Sequence, residues 1–235
     1  MAGARVPLFL NSSSECLLVP RREIRLRGGR DEIATRAARL LVEGAPDFET
    51  ARRKALHGEL ARAVGEGPDN LSIFIELARY LNLFHYAPQL EHITLLRTRA
   101  LRVLQRLARF SATLCGPTWY GTALRGNSIN LHVHLDEVEV LSRYFIEHGV
   151  NYQLGEAIFK FSAKLTRAVP VFLIEAESST CEIALFQARG NLSHPLSSID
   201  NRPVKRATQQ ALADLIESRA LFPPEVERLL RACLP

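Results

Sequence analysis

The sequence predicts an α+β protein, with an N-terminal helical bundle packed on a small mixed β-sheet. Three observations predict it. Residues 31–110 carry apolar side chains at the three-and-four spacing of helices. From Ser111 the texture turns to short strand-like runs. Two amphipathic helical stretches then close the chain. Helices and strands are segregated along the sequence, which favours packed layers over an alternating α/β array. The expected division is an N-terminal arm (1–30), a helical domain (31–110), an α/β unit (111–206) and C-terminal helices (207–235).

Each element has its own signal. In the arm, Arg21, Arg22, Arg25, Arg27 and Arg30 cluster without helical periodicity, and Gly28-Gly29 is expected to break the chain. Asp31 can cap a helix through "EIATRAARLLVEG", with Ile33, Ala37, Leu40 and Leu41 on one face and Gly44 as its stop. Pro46-Asp47 opens a second helix, "FETARRKALHGELARAV", with Phe48, Ala51, Ala55 and Leu56 in phase and Arg52, Arg53 and Lys54 on its wet face. "LSIFIELARYLNLFHY" is a largely buried third helix. Pro88 sits in the first turn of a fourth, where its missing N–H costs nothing. Leu90, Ile93, Leu96, Leu101, Leu104 and Leu107 form that helix's buried stripe.

"SATLCG" and "INLHVHL" then read as strands, and Asp136 as the cap of "EVEVLSRYFIEHG", stopped by Gly149. Four strand-like runs follow: "VNYQL", "AIFKFSAKL", "AVPVFLIEAE" and "CEIALFQ". A loop with Pro195 and Pro203 leads to helices in "TQQALADLIESRA" and "PPEVERLLRAC".

Composition bounds the function. Of 235 residues, 47% are hydrophobic and 23% charged, enough for a proper core. No apolar run approaches the roughly 18 residues of a membrane span. "VPLFL" is too short for a signal-peptide core, so a cytoplasmic location is expected. Cys16, Cys115, Cys181 and Cys233 form no C-x-x-C pair, which argues against a zinc ribbon or redox motif. A net charge of +5 favours anionic partners such as nucleotides or nucleic acid, and nothing beyond charge points to nucleic acid.

The stretch from Leu114 to Asp136, "LCGPTWYGTALRGNSINLHVHLD", reads as a strand, a Gly-containing turn and a second strand. Phosphoryl-transfer enzymes use such a layout. Turn N–H groups cradle phosphate, and two carboxylates at i and i+2 on the next strand share one face and hold metal. "LCGP" and "SINL" occupy the corresponding places, and with "DFETARRKA", "GPTWYGTA", "INLHVHLDEVE" and "PLSSIDNRPVKRA" the chain resembles an uncharacterised bacterial nucleotidyltransferase-like family of the polymerase-β-like superfamily, over most of residues 30–207. The resemblance implies a nucleotidyltransferase-like sheet topology. It puts Ser128 and Asn130 at the positions of the paired catalytic carboxylates and Glu182 at the third. Candidate ligand contacts are Gly116, Gly121 and Thr122 at the matching turn, His132 on the strand face, and Arg202 and Lys205 in the basic loop. Some members carry a UDP-N-acetylmuramate–alanine ligase label, which no G-x-x-x-x-G-K-[ST] loop supports here.

The departures from the pattern shape the functional expectation. Pro117 removes a backbone donor from the turn. Ser128 and Asn130 are neutral and hold magnesium weakly at best. A degenerate, non-catalytic module for a nucleotide or other phosphate ligand is therefore expected, with no cofactor. The alternative is an active nucleotidyltransferase using Glu182, Glu175, Glu177 or Asp136, with magnesium. His132, His134 and Asp136 share a strand face if the strand continues and could bind a borderline metal, but a polar solvent-facing strand or pocket wall is the favoured reading. Ser128 lacks a nucleophile elbow. Trp119 and Tyr120 either stack a base or anchor the turn. Leu114, Ile129 and Leu131 are expected in the core, with Ser128, Asn130 and His132 facing a cleft. Arg202, Lys205 and Arg206 either meet phosphate or form a solvated linker.

Overall fold

The structure, a computed structural model, describes residues 21–56, 67–188, 192 and 194–233, with side chains from residue 28 onward. Residues 1–20 of the expected arm, Cys16 and the second half of the expected second helix lie outside the described residues. The fold is α+β: eight described α-helices and a five-stranded mixed sheet. No helix among the described residues is long and apolar enough to cross a membrane.

Helix α1 spans Arg21–Val42, so it begins inside the expected arm, runs through Gly28 and Gly29, and leaves Asp31 in its interior rather than at a cap. Each helical glycine costs about 1 kcal/mol relative to alanine. The packed half downstream outweighs this: Ile33, Ala34, Ala37, Ala38 and Leu41 are buried against the next two helices. Gly44, at φ +108°, ends α1 as expected. The Ala45 N–H donates to the Leu40 carbonyl and the Gly44 N–H to the Leu41 carbonyl.

Helix α2 (Phe48–Ala55) starts where Asp47 accepts the Thr50 N–H at 2.6 Å, and that bond holds the Asp47 carboxyl below its ordinary pKa. Helix α3 (Asn70–Phe84) is capped by Asp69, and α4 (Tyr86–Arg106) carries Pro88 in its first turn. Ile93, Leu96, Leu104 and Leu107 of the expected stripe are buried in the main core, with Leu90 and Leu101 packed at its margin.

Two polar residues share that stripe. Gln89 donates to the Gly121 and Ala123 carbonyls. Arg97 is only 1% exposed and donates to the carbonyls of Thr118, Trp119, Ala220 and Leu221 at 2.7–3.2 Å. Burial pushes its guanidinium down to about 10.

Strand β1 (Thr113–Cys115) leads into a five-residue helix, α5 (Gly116–Tyr120), and β2 (Ile129–His134) follows. Helix α6 (Val138–Glu147) ends at Gly149, φ +63°, with the Val150 N–H reaching back to Phe145. Asp136 does not cap it. Glu137 holds the cap position, and the Asp136 carboxylate instead accepts the Ala188 N–H at 2.9 Å, tying the end of β2 to the exit of the last strand.

The four strand-like runs resolve into three strands: β3 (Tyr152–Ser162), β4 (Leu165–Ala176) and β5 (Ser179–Phe186). Gly155 does not divide β3, because it is paired with Val171 within a continuous antiparallel ladder. Pro170 is tolerated in β4 because β5 pairs with β4 only from Val171 onward.

The sheet order is β1-β2-β5-β4-β3, with β2 and β5 parallel and the other pairs antiparallel. One face carries Ile129, Leu131, Val133, Ile183 and Phe172 into the main core under α4, α6 and the last helices, α7 (Gln209–Glu217) and α8 (Pro224–Ala232). Leu114, Ile129 and Leu131 are buried there as expected. The opposite face carries Val169, Val171, Ala184 and Phe186.

The β4–β5 hairpin turns on two residues, Glu177 and Ser178, at φ +50° and +65°. Both central positions of this turn type favour glycine or asparagine. Ser178→Gly is therefore expected to raise stability by roughly 0.5–1 kcal/mol. A higher urea midpoint would bear this out, and an unchanged or lower one would refute it.

Candidate functional site

Strand period places Asn130, His132 and His134 together on the sheet face away from the main core. The parallel ladder sets Glu182 beside Asn130 and Ala184 beside His132. At the near end Gly116, φ +71°, lies against the Asn130 amide. A Cβ there would meet Nδ2 at 2.8 Å and would sit at a left-handed backbone position, so glycine is favoured. The Cys115 thiol reaches the Asn130 carbonyl at 3.4 Å.

Residues 195–207 roof this face. The Leu196 N–H donates to the Lys160 carbonyl at 2.6 Å, Val204 to Pro195 at 2.9 Å, and Ala207 exchanges both backbone bonds with Leu114. Between roof and sheet lies an inner cavity of about 470 Å³. Phe48, Phe74, Tyr120 and Phe159 give it an aromatic wall, and Asn130, His132, Lys160 and Glu182 are among its polar side chains.

An outer cavity of about 780 Å³ adjoins it, sharing Phe74, Tyr120, Ile199 and Asn201. Arg52, Arg202, Lys205 and Arg228 line it, together with Asp69, Asp200 and Glu225. All three acids are engaged by neutral donors: Asp69 by Ser72, Asp200 by the Arg202 N–H and Glu225 by the Trp119 indole. Arg52 pairs with Glu49 and bonds Asn70, which in turn donates to the Ser198 carbonyl of the roof.

Burial governs the electrostatics. His132 is 4% exposed, lies 4.6 Å from the Phe186 ring centroid, and leaves Nδ1 without a partner. Burial, reinforced by the Arg206 and His134 charges, pushes it down to about 3, so it is neutral at pH 7. Burial also raises Cys115 and Tyr120 to about 12 each. Cys115 is thus a protonated thiol and no ready nucleophile.

The H-x-H-x-D run does not close around a metal. His132 packs among phenylalanines, the Arg206 guanidinium approaches His134 Nε2 at 2.6 Å, and Asp136 is held by Ala188. Among the described residues no group of three or more His, Cys, Asp and Glu is placed to hold a metal ion.

Of the residues singled out in the sequence, Gly116, Thr122, Asn130, His132 and Glu182 line the inner cavity, and Arg202 and Lys205 line the outer one. Ser128 precedes β2 and lines neither, so it does not complete a pair with Asn130. Gly121 also lines neither. It is a packing glycine, at φ +81°, where a Cβ would lie 2.1 Å from the Leu221 carbonyl.

In the short turn over residues 116–121 the Pro117 carbonyl takes the Gly121, Thr122 and Ala123 N–H groups, so these three are not free for phosphate. Trp119 anchors in the core, while Tyr120 combines core packing against Phe74 with a place in both cavity walls. Glu175 and Glu177 are engaged by Thr180 and Arg102, outside the lining of both cavities. The sequence did not single out Lys160 or Arg228, and it assigned Arg52 to the wet face of a helix. The Asn70 bridge to the roof that draws Arg52 inward has no local signature.

No family model matches the chain, and no curated protein or solved structure is similar enough to it to count as a relative.

Proposed function

We propose that the chain is a nucleotidyltransferase-like module that binds a nucleotide or related phosphate ligand without transferring it. The observation that carries this reading is the joining of two unlike cavities. The inner one has aromatic walls and, among the described residues, Glu182 as its one carboxylate, beside the neutral Asn130. The outer one has four cationic side chains against three carboxylates, with Arg52 paired to Glu49 and the carboxylates hydrogen-bonded to neutral donors.

A planar base fits between Tyr120 and Phe159, where every base offers a π-face. Its phosphates then reach Arg202, Lys205 and Arg228, which supply charge-assisted hydrogen bonds. A single carboxylate beside an amide is a poor substitute for the paired carboxylates of a two-metal centre, so binding rests on the cations rather than on magnesium.

Calorimetry with ATP tests this. Binding is expected to persist in EDTA, to weaken with added salt, and to weaken about tenfold or more in the Arg202→Ala, Lys205→Ala double variant. Binding that requires magnesium, or that the double variant leaves intact, would overturn the proposal. So would magnesium-dependent release of pyrophosphate that Glu182→Ala abolishes, which would establish an active transferase instead.

A further inference from the structure

We propose a second anion site, for a phosphate-sized oxyanion, at the opposite end of the helix–sheet junction and independent of the nucleotide reading. A cavity of about 360 Å³ opens where α4 crosses the β4–β5 turn and the loop between α5 and β2. His92 and Arg99 come from α4, Arg125 and Asn127 from the loop, and Ser179 and Thr180 from the start of β5.

Three features select an anion. The first is charge. Two guanidinium groups line the cavity and, among the described residues, no carboxylate does. The nearby acids are occupied: Glu175 accepts the Thr180 hydroxyl at 2.8 Å, and Glu177 pairs with Arg102.

The second is the placement of orphaned polar atoms. Among the described residues four buried side-chain polar atoms lack a hydrogen-bond partner, and two of them, His92 Nε2 and Arg99 Nε, belong to this one wall. A buried N–H without an acceptor is costly. Both atoms are closed to solvent, so Arg99, or His92 in its Nε2–H tautomer, must shift before an oxyanion in the cavity can accept from it.

The third is preorganisation. The Arg99 Nη1 atom donates to Ser179 Oγ at 2.7 Å, which fixes the guanidinium plane before any ligand arrives. Asn127 Oδ1 accepts the Leu124 N–H at 2.8 Å and holds the loop that carries Arg125. Arg125 is exposed, so it can close over an anion already bound beside the Arg99–Ser179 pair.

The test is a titration of the full chain with inorganic phosphate, followed through the backbone amide NMR signals and controlled with chloride at equal ionic strength. Saturable shifts confined to residues 125–127 and 178–180 are expected. Arg125→Ala, at an exposed position, and Arg99→Gln should each weaken them about tenfold, whereas Arg125→Lys should retain part of the affinity. ATP binding at the two joined cavities should be unchanged in Arg125→Ala, which keeps the two proposals separable. Shifts equally produced by chloride, absent from these residues, or indifferent to both Arg125→Ala and Arg99→Gln would overturn the site.

Discussion

Arg97→Met is expected to destabilise the protein by roughly 3–5 kcal/mol. Methionine fills much of the volume but donates nothing. The carbonyls of Thr118, Trp119, Ala220 and Leu221 would each lose the guanidinium that now bonds them. These four groups belong to two separate chain segments, the end of α5 and the approach to α8, and Arg97 joins both to α4. Lysine should rescue little, because a single ammonium cannot span four acceptors in a fixed plane. Urea denaturation gives the measurement. A midpoint shift worth less than about 1 kcal/mol at unchanged slope would show that water or neighbouring donors replace the arginine readily.

His132 should make the fold acid-sensitive in a defined window. In the folded chain burial holds its pKa at about 3, against an ordinary 6.5. Below about pH 6.5 the unfolded chain therefore takes up a proton that the folded chain refuses until about pH 3. The contribution of neutral His132 is complete above the upper value and is lost as the pH falls through the window. The loss approaches about 1.4 kcal/mol per pH unit, or roughly 2–3 kcal/mol by pH 4.5. His132→Phe keeps a ring beside Phe159 and Phe186 and removes the titration. The difference in unfolding free energy between the native chain and this variant should thus shift steadily in the variant's favour from pH 7 to pH 4.5. A difference that stays constant with pH would show that His132 is not held neutral.

Local patterns in the sequence foretold local structure well. Asp47, Gly44 and Gly149 act where their chemistry places them, because caps and left-handed stops depend on a few neighbouring residues. The alternation in β2 correctly set Asn130 and His132 on one face and Ile129 and Leu131 on the other. What the sequence concealed depends on distant partners. Gln89 and Arg97 lie at i, i+4 spacing about Ile93, inside the apolar stripe, yet polar side chains in such a stripe read as its solvent edge until six carbonyls from elsewhere arrive to receive them. Asp136 looked like a cap and instead serves Ala188, fifty-two positions away. The inner cavity follows the same rule. Asn130 could be placed on its face from spacing, but its neighbour Glu182 comes from a strand that joins β2 only after the hairpins fold back.

The roof segment also settles how the sheet meets other chains. On the short margin Leu114 is the outward-facing residue of β1, and Ala207 takes both its N–H and its carbonyl. Among the described residues, this pairing covers the outward backbone of β1 at Leu114. On the long margin, among the described residues, the same segment makes its backbone hydrogen bond to β3 at Lys160, and exposed Leu154 and Ile158 stand on the stretch beyond. Open edges of this kind are where strands of separate molecules pair. Among the described residues β3 is therefore the open edge, and it is where strand-by-strand self-association of this protein is expected.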